Sequence, residues 1–237
     1  MSLTATVGGL AVEYDASVLK PRSWTEAQAR WAAELSPGLP DGPLLELCSG
    51  VGHIGLLAAS LTGRDTVLVD ASPTAVAFAR RNARQVMVAG LRVEVRHGPM
   101  TDVLRKDERF PLVLADPPYL RSADITQYPD DPPSAVDGGE DGLALARSCL
   151  AVASRHLTGD GALVLQLRDA DQATAVDATA RDHGLSLVET RMVGDHGALG
   201  LRTTDQHERA AAAAVLSSRR CRASRRPPRR GRARPSA

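Results

Sequence analysis

With 237 residues, 43% of them hydrophobic, the chain is long enough for one α/β domain with a real core, and no apolar run approaches the ~18 residues of a membrane span. Met1-Ser2-Leu3-Thr4 lacks a basic region followed by an apolar stretch, so no signal peptide is expected and the protein is read as cytoplasmic; Cys48, Cys149 and Cys221 show no CxxC or Cys/His spacing, which argues against a disulfide framework or a metal. The net charge of +1 hides an asymmetry: residues 210–237 hold nine of the 29 basic residues and no acid, leaving 20 basic against 28 acidic residues, near −8, for the remainder.

Residues 1–42 are read as an N-terminal segment with one helix, Ser23 to Leu35, lying near the cofactor site. Ser23 and Glu26 spell a capping box, and Trp24, Gln28, Trp31 and Leu35 share a face, both tryptophans being assigned to the core. A Pro/Gly linker, 36–43, leads into the catalytic domain, 43–207. There the pattern alternates: strand 44–48, helix 53–62, strand 66–70, helix 73–89, strands 92–97 and 111–115, helix 139–157, strand 161–167, helix 170–183, then strands 185–193 and 199–203. Ser72 before Pro73 is a well-formed helix start. The alternation predicts a single doubly wound, mostly parallel, seven-stranded α/β sheet with helices on both faces and a site over its carboxyl edge. Residues 208–237, arginine-rich with Pro, Ser and Ala in no period, are read as a disordered, solvated extension with no selected role, the alternative being a basic arm that holds RNA or a ribosome.

Two clusters carry chemistry. Asp116-Pro117-Pro118-Tyr119 follows the apolar run Leu112-Val113-Leu114-Ala115, at the carboxyl end of a buried strand. An amide or exocyclic amino nitrogen attacks poorly unless acceptors hold its N–H bonds; Asp116 and the Asp116 and Pro117 carbonyls can do this, and Tyr119 offers a face for stacking. The competing reading is an ordinary proline-rich turn. Earlier, Gly50, Gly52 and Gly55 spell GxGxxG between the strand Leu44–Cys48 and a helix, and Asp70 falls 20 residues after Gly50, where a carboxylate can hold a ribose. The glycines alone fit a nicotinamide dinucleotide equally well, or mere strand–helix packing. Glu46 tilts the choice, because a carboxylate there suits a cationic aminoacyl group and repels a pyrophosphate.

Together these segments resemble the class I S-adenosylmethionine-dependent methyltransferases, and more narrowly the HemK-type glutamine N5-methyltransferases that act on peptide-release factors. Four blocks in the same order, over roughly residues 14–203, carry the resemblance: Lys20-Pro21-Arg22-Ser23-Trp24-Thr25-Glu26, the glycine turn, the Asp-Pro-Pro-Tyr motif, and Ala135-Val136-Asp137-Gly138-Gly139-Glu140-Asp141-Gly142-Leu143. The resemblance implies S-adenosylmethionine as cofactor, bound by Glu46, Cys48, Gly50, Gly52, Asp70, Ala71 and Asp116, with Asp116, Pro117 and Tyr119 catalytic, and it implies a protein substrate. His53, His97 and Asp102 are candidates for bordering the cofactor, each with a local or surface role as the alternative; Arg22 and Glu26 read equally as a helix-start salt bridge. The chain departs from the family at Asp116, where the glutamine enzymes have Asn, and at Cys48, which replaces a glycine. Asp-Pro-Pro-Tyr is typical of adenine-N6 enzymes, so methylation of nucleic acid or of a small metabolite is the second reading. A nicotinamide oxidoreductase or a non-catalytic cofactor module is the third. Asp124, Asp130, Asp131, Asp137, Glu140 and Asp141, beside the active-site motif, weigh against a phosphate backbone as ligand.

Overall fold

The structure, a computed structural model, describes residues 2–87, 90–193 and 196–203. The arginine-rich tail and the last two residues of the expected helix 73–89 lie outside them. Met1–Thr203 forms one compact unit.

The chain opens with a hairpin not among the expected elements, β1 (Leu3–Val7) and β2 (Leu10–Tyr14). Gly8 and Gly9 make its two-residue turn at φ 54° and 88°, the mirror-image turn that suits the twist of paired strands. Helix α1 (Glu26–Leu35) follows a 3-10 turn at Ser23–Thr25. The expected capping box does not form: Ser23 caps nothing, and the Glu26 carboxylate instead accepts from Gly8 N and pairs with Arg30. Trp31 is buried as expected, and so is Gln28 on the same helix face.

β3 (Leu44–Leu47), α2 (His53–Thr62), β4 (Thr66–Asp70), α3 (Pro73–Met87), β5 (Val93–His97) and β6 (Phe110–Ala115) follow. α2 stops at Gly63, whose left-handed backbone lets its N–H reach Ala59 O. At α3, Ser72 Oγ accepts from Ala75 N, the predicted cap. A loop containing the short α4 (Pro133–Val136) leads to α5 (Ala144–His156), β7 (Leu157–Leu167), α6 (Ala170–Asp182), β8 (Leu185–Val193) and β9 (His196–Thr203). α5 starts five residues later than expected, because Gly139 and Gly142 sit at positive φ and turn the chain before the helix.

The sheet order is β5-β4-β3-β6-β7-β9-β8. The first five strands pair in parallel, and β9 and β8 close the edge as an antiparallel hairpin. Side chains alternate across the central strands. Leu45, Leu47 and Val113 face a core with α5 and α6, whereas Leu44, Leu112 and Leu114 face one with α1 and α2. Both faces are covered, so β3, β4 and β6 are mostly apolar, and the fully buried carboxyl of Glu46 needs a reason.

Candidate active site

β3 leads through α2 to β4 on one side, while β6 lies on its other side; the strand order reverses between them. Such a switch point leaves a crevice beyond the carboxyl ends of the strands. Leu47 is in register with Val69 of β4 and with Ala115 of β6. The next residues, Cys48, Asp70 and Asp116, therefore stand in one row along the edge, which joins motifs 68 positions apart in sequence.

The turn after β3 is built around glycine. Gly50 and Gly52 have φ of 54° and 84°, and a Cβ on Gly52 would come within 2.9 Å of Leu68. Cys48 adopts φ 56° without being glycine, a conformation that costs an ordinary residue ~1 kcal/mol. It is half-buried, and its Sγ lies 4.0 Å from that of Cys149. Asp70 closes the turn: its carboxylate accepts from Gly50 N at 2.7 Å and Ser72 N at 2.8 Å. Glu46 is 1% exposed, with Oε2 accepting from Gly55 N at 3.0 Å and Oε1 making no hydrogen bond. Gly55 has to lack a side chain, since a Cβ there would stand 2.4 Å from that Oε2.

Three carboxyls thus share one cleft. Burial, reinforced by the charges of Asp116 and Asp70, pushes the Glu46 carboxyl well above its usual range. Burial raises Asp70 against the pull of its two N–H donors, and burial alone lifts Asp116 to about 7. A cationic ligand would relieve this strain, and a pyrophosphate would add to it.

Beyond β6, Asp116, Pro117, Pro118 and Tyr119 line a cavity of about 400 Å³. Trp24 and Tyr128 add aromatic surface to it, so Trp24 is a wall of this cavity, unlike the core residue expected. Burial and the neighbouring Asp116 raise the Tyr119 phenol. Arg22 and Glu26 do not pair with each other; Arg22 reaches 109 residues along the chain to grip Asp131 with contacts of 2.5 and 2.6 Å, tying the N-terminal wall to the loop. That loop is drawn in on the motif: Leu120 N bonds Val136 O, Gly138 N bonds Leu120 O, and Gln172 Nε2 holds Tyr119 O at 2.8 Å. A Cβ on Gly138 would meet Gly142 O and Pro118 O at 2.5 and 2.7 Å, and one on Gly142 would meet Tyr119 O at 2.5 Å. The Gly-Gly-x-Asp-Gly block is therefore a packing requirement of the Asp-Pro-Pro-Tyr segment.

The remaining candidates stand at the margin of this arrangement, His97 in register with Asp70 on the neighbouring strand. Asp102 is exposed and accepts from Thr101 Oγ1. His97 is exposed with its ring beside Ala71 O at 3.2 Å. His53 contacts Thr25 Oγ1 at 2.9 Å, and burial lowers its pKa to about 4. Gln172 and Tyr128 join the site without a local sequence signal, and so does Gln28, whose Nε2 bonds Ala115 O and Val164 O. A broader hollow of about 970 Å³ lies at the opposite, amino-terminal ends of the strands, where Arg64 is already spent on Ser36, Pro40 and Gly42. Among the described residues no cluster of His, Cys, Asp or Glu forms a metal site, and no helix is long and apolar enough to cross a membrane.

Parallel strands wound on both sides of the β3–β6 switch, closed by an antiparallel hairpin, make this the Rossmann-like fold of methyltransferases. The same fold occurs in the 16S rRNA N2 G1207 methyltransferase of T. thermophilus, solved in complex with AdoMet and guanosine (TM-score 0.58, 16% identity, covering 86% of this chain and 50% of that one). Residues 27–130 match the family model described as conserved hypothetical protein 95. Over 196 residues the chain is 34% identical to the release factor glutamine methyltransferase of Mycolicibacterium smegmatis, covering 79% of this chain and 67% of the relative. It is 35% identical to that of Deinococcus radiodurans over 182 residues, 75% and 63% of the two chains. The chain belongs to the family of release-factor glutamine methyltransferases. It spans about two thirds of the length of these relatives.

Proposed function

We propose that the enzyme transfers the methyl group of S-adenosylmethionine to the side-chain amide nitrogen of a glutamine in a protein, a peptide-release factor. The observation that carries this reading is the in-register row of Cys48, Asp70 and Asp116, which sets a glycine turn for a cofactor beside an acceptor-lined cavity. The residues fit a cationic cofactor on independent grounds. Glu46 Oε1 is a buried acceptor without a donor, and a Cβ added to Gly50 would meet nothing within 4 Å, so open space borders the turn.

Bound there, S-adenosylmethionine supplies an electrophilic methyl group on a sulfonium that is also the leaving group. Gly50 and Gly52 bring backbone close to the ligand, with Cys48 and Ala71 flanking it. Asp70 accepts from the ribose hydroxyls, and Glu46 faces the aminoacyl end. Asp116 and the Pro117 carbonyl each accept one N–H of the acceptor amide, which frees its lone pair, while Tyr119 stacks on the amide plane. With its carboxyl near 7, Asp116 can also hold the proton released once the nitrogen is methylated. Rate then comes mainly from positioning and a preorganised acceptor set.

The deciding experiment offers methyl-labelled S-adenosylmethionine and the purified protein a panel of release factor, ribosomal RNA, DNA and a metabolite extract. Label on one glutamine of the release factor is expected. Label confined to nucleic acid or metabolite would keep the cofactor and overturn the substrate.

A further inference from the structure

Three buried side-chain atoms of the glycine turn and the residues flanking it, Glu46 Oε1, Ser49 Oγ and His53 Nδ1, make no hydrogen bond. Buried polar atoms are normally satisfied, so their grouping at one loop points to a donor that the polypeptide does not supply. Hydrogen-bond accounting sets the role of two of them. Glu46 gives Oε2 to Gly55 N and keeps Oε1 bare. Thr25 Oγ1 donates its only hydrogen to Arg22 O at 2.7 Å, so at 2.9 Å it can only accept from His53 Nε2–H. The histidine is thereby held as its Nε2–H tautomer, and burial keeps it neutral. Nδ1 is consequently a bare lone pair.

His53 directly follows Gly52 and begins α2, and Thr25, its partner, lines the acceptor cavity. Its imidazole stands between the turn and the N-terminal wall. Glu46 flanks the same turn from the strand side. Bare acceptor positions, one of them on a carboxyl that a neighbouring positive charge would ionise, suit a group that offers several N–H donors and a positive charge.

We propose that His53 Nδ1, together with Glu46, receives the α-ammonium of the cofactor's aminoacyl arm, making His53 a specificity residue for a ligand that carries a free amino group. This rests on the reading that the site holds S-adenosylmethionine. Thr25 is then a positioning residue, which gives the Pro-Arg-Ser-Trp-Thr-Glu block a second task beside walling the acceptor cavity.

The test pairs a ligand deletion with a residue deletion. Calorimetry on the full chain compares S-adenosylhomocysteine with its analogue lacking the amino group, for wild type and His53→Ala, with melting curves to check folding. Wild type is expected to prefer the amino-bearing ligand by ~10-fold or more, and His53→Ala to cut that ratio by ~10-fold while binding the analogue as before. An equal ratio in both proteins overturns the proposal; a water occupying the place of the ammonium would give this result. Nitrogen-15 spectra of the wild-type histidines decide the matter even where His53→Ala does not fold. Nδ1 should be unprotonated in the free protein and shift on adding S-adenosylhomocysteine; a protonated Nδ1 or an unmoved signal sinks the assignment. If wild type binds neither ligand, the cofactor reading itself fails and the proposal falls with it.

Discussion

Asp116 is the residue on which the chemistry turns, and its burial makes two predictions. Asp116→Ala should abolish methyl transfer while cofactor affinity, measured by calorimetry, stays close to wild type; normal turnover would remove Asp116 from the mechanism. The second concerns pH. A carboxyl raised to about 7 keeps its proton in the folded state after the unfolded chain, with a usual value near 4, has lost it. Folding is therefore favoured most below pH ~4, and this contribution is lost as pH rises toward 7. Asp116→Asn, which keeps the shape and cannot ionise, should match wild type in denaturant midpoint near pH 4 and exceed it at pH 8; equal midpoints at pH 8 would contradict the burial of the charge. Asp70→Ala behaves in the opposite way to Asp116→Ala, weakening cofactor binding before turnover, because its oxygens face the turn and not the acceptor cavity.

Among the elements, the loop from Leu120 to Leu143 shows how far a motif can be read and where reading stops. Its glycines were visible as a family block, yet their reason is contact: Gly142 presses on Tyr119 O, and Gln172 from α6 clamps the same carbonyl. Gly142→Ala, with φ of 77° and a Cβ 2.5 Å from that oxygen, should destabilise the fold by ~1–3 kcal/mol in thermal unfolding. The Arg22–Asp131 pair ties α1's leading turn to the loop, so Arg22→Ala is expected to raise KM for the protein substrate several-fold with cofactor affinity unchanged; the reverse pattern would assign Arg22 to the cofactor. The periodic helices and apolar strands were legible within a few residues because each is set by its own buried face. The N-terminal capping box was misread because Glu26 had a stronger use, the N–H of Gly8 in a hairpin 18 residues away. That hairpin had a local signal, Gly8-Gly9 between alternating apolar residues, which went unused.

At the scale of the molecule, the charge divides between a folded part near −8 and an arginine-rich tail. A chain ending at Thr203, the compact unit, should pass through heparin at low salt that retains the full chain; retention of the shortened chain would reveal a basic surface on the fold. The amino-acid sequence by itself determined the fold class, the glycine turn, the acidic residues within β3 and at the end of β4, and the Asp-Pro-Pro-Tyr motif, since these depend on local pattern and on spacing within one strand–turn–helix unit. Only the tertiary structure decided which of them meet. Parallel pairing in a single register aligned Cys48, Asp70 and Asp116, the order reversal between β3 and β6 opened the crevice above them, and long-range partners set the rest: Asp131 for Arg22, Thr25 for His53, Gln172 for Tyr119. Such pairings join residues 28 to 109 positions apart, and no periodicity records them, because they are fixed by packing between elements and not by the conformation of either one.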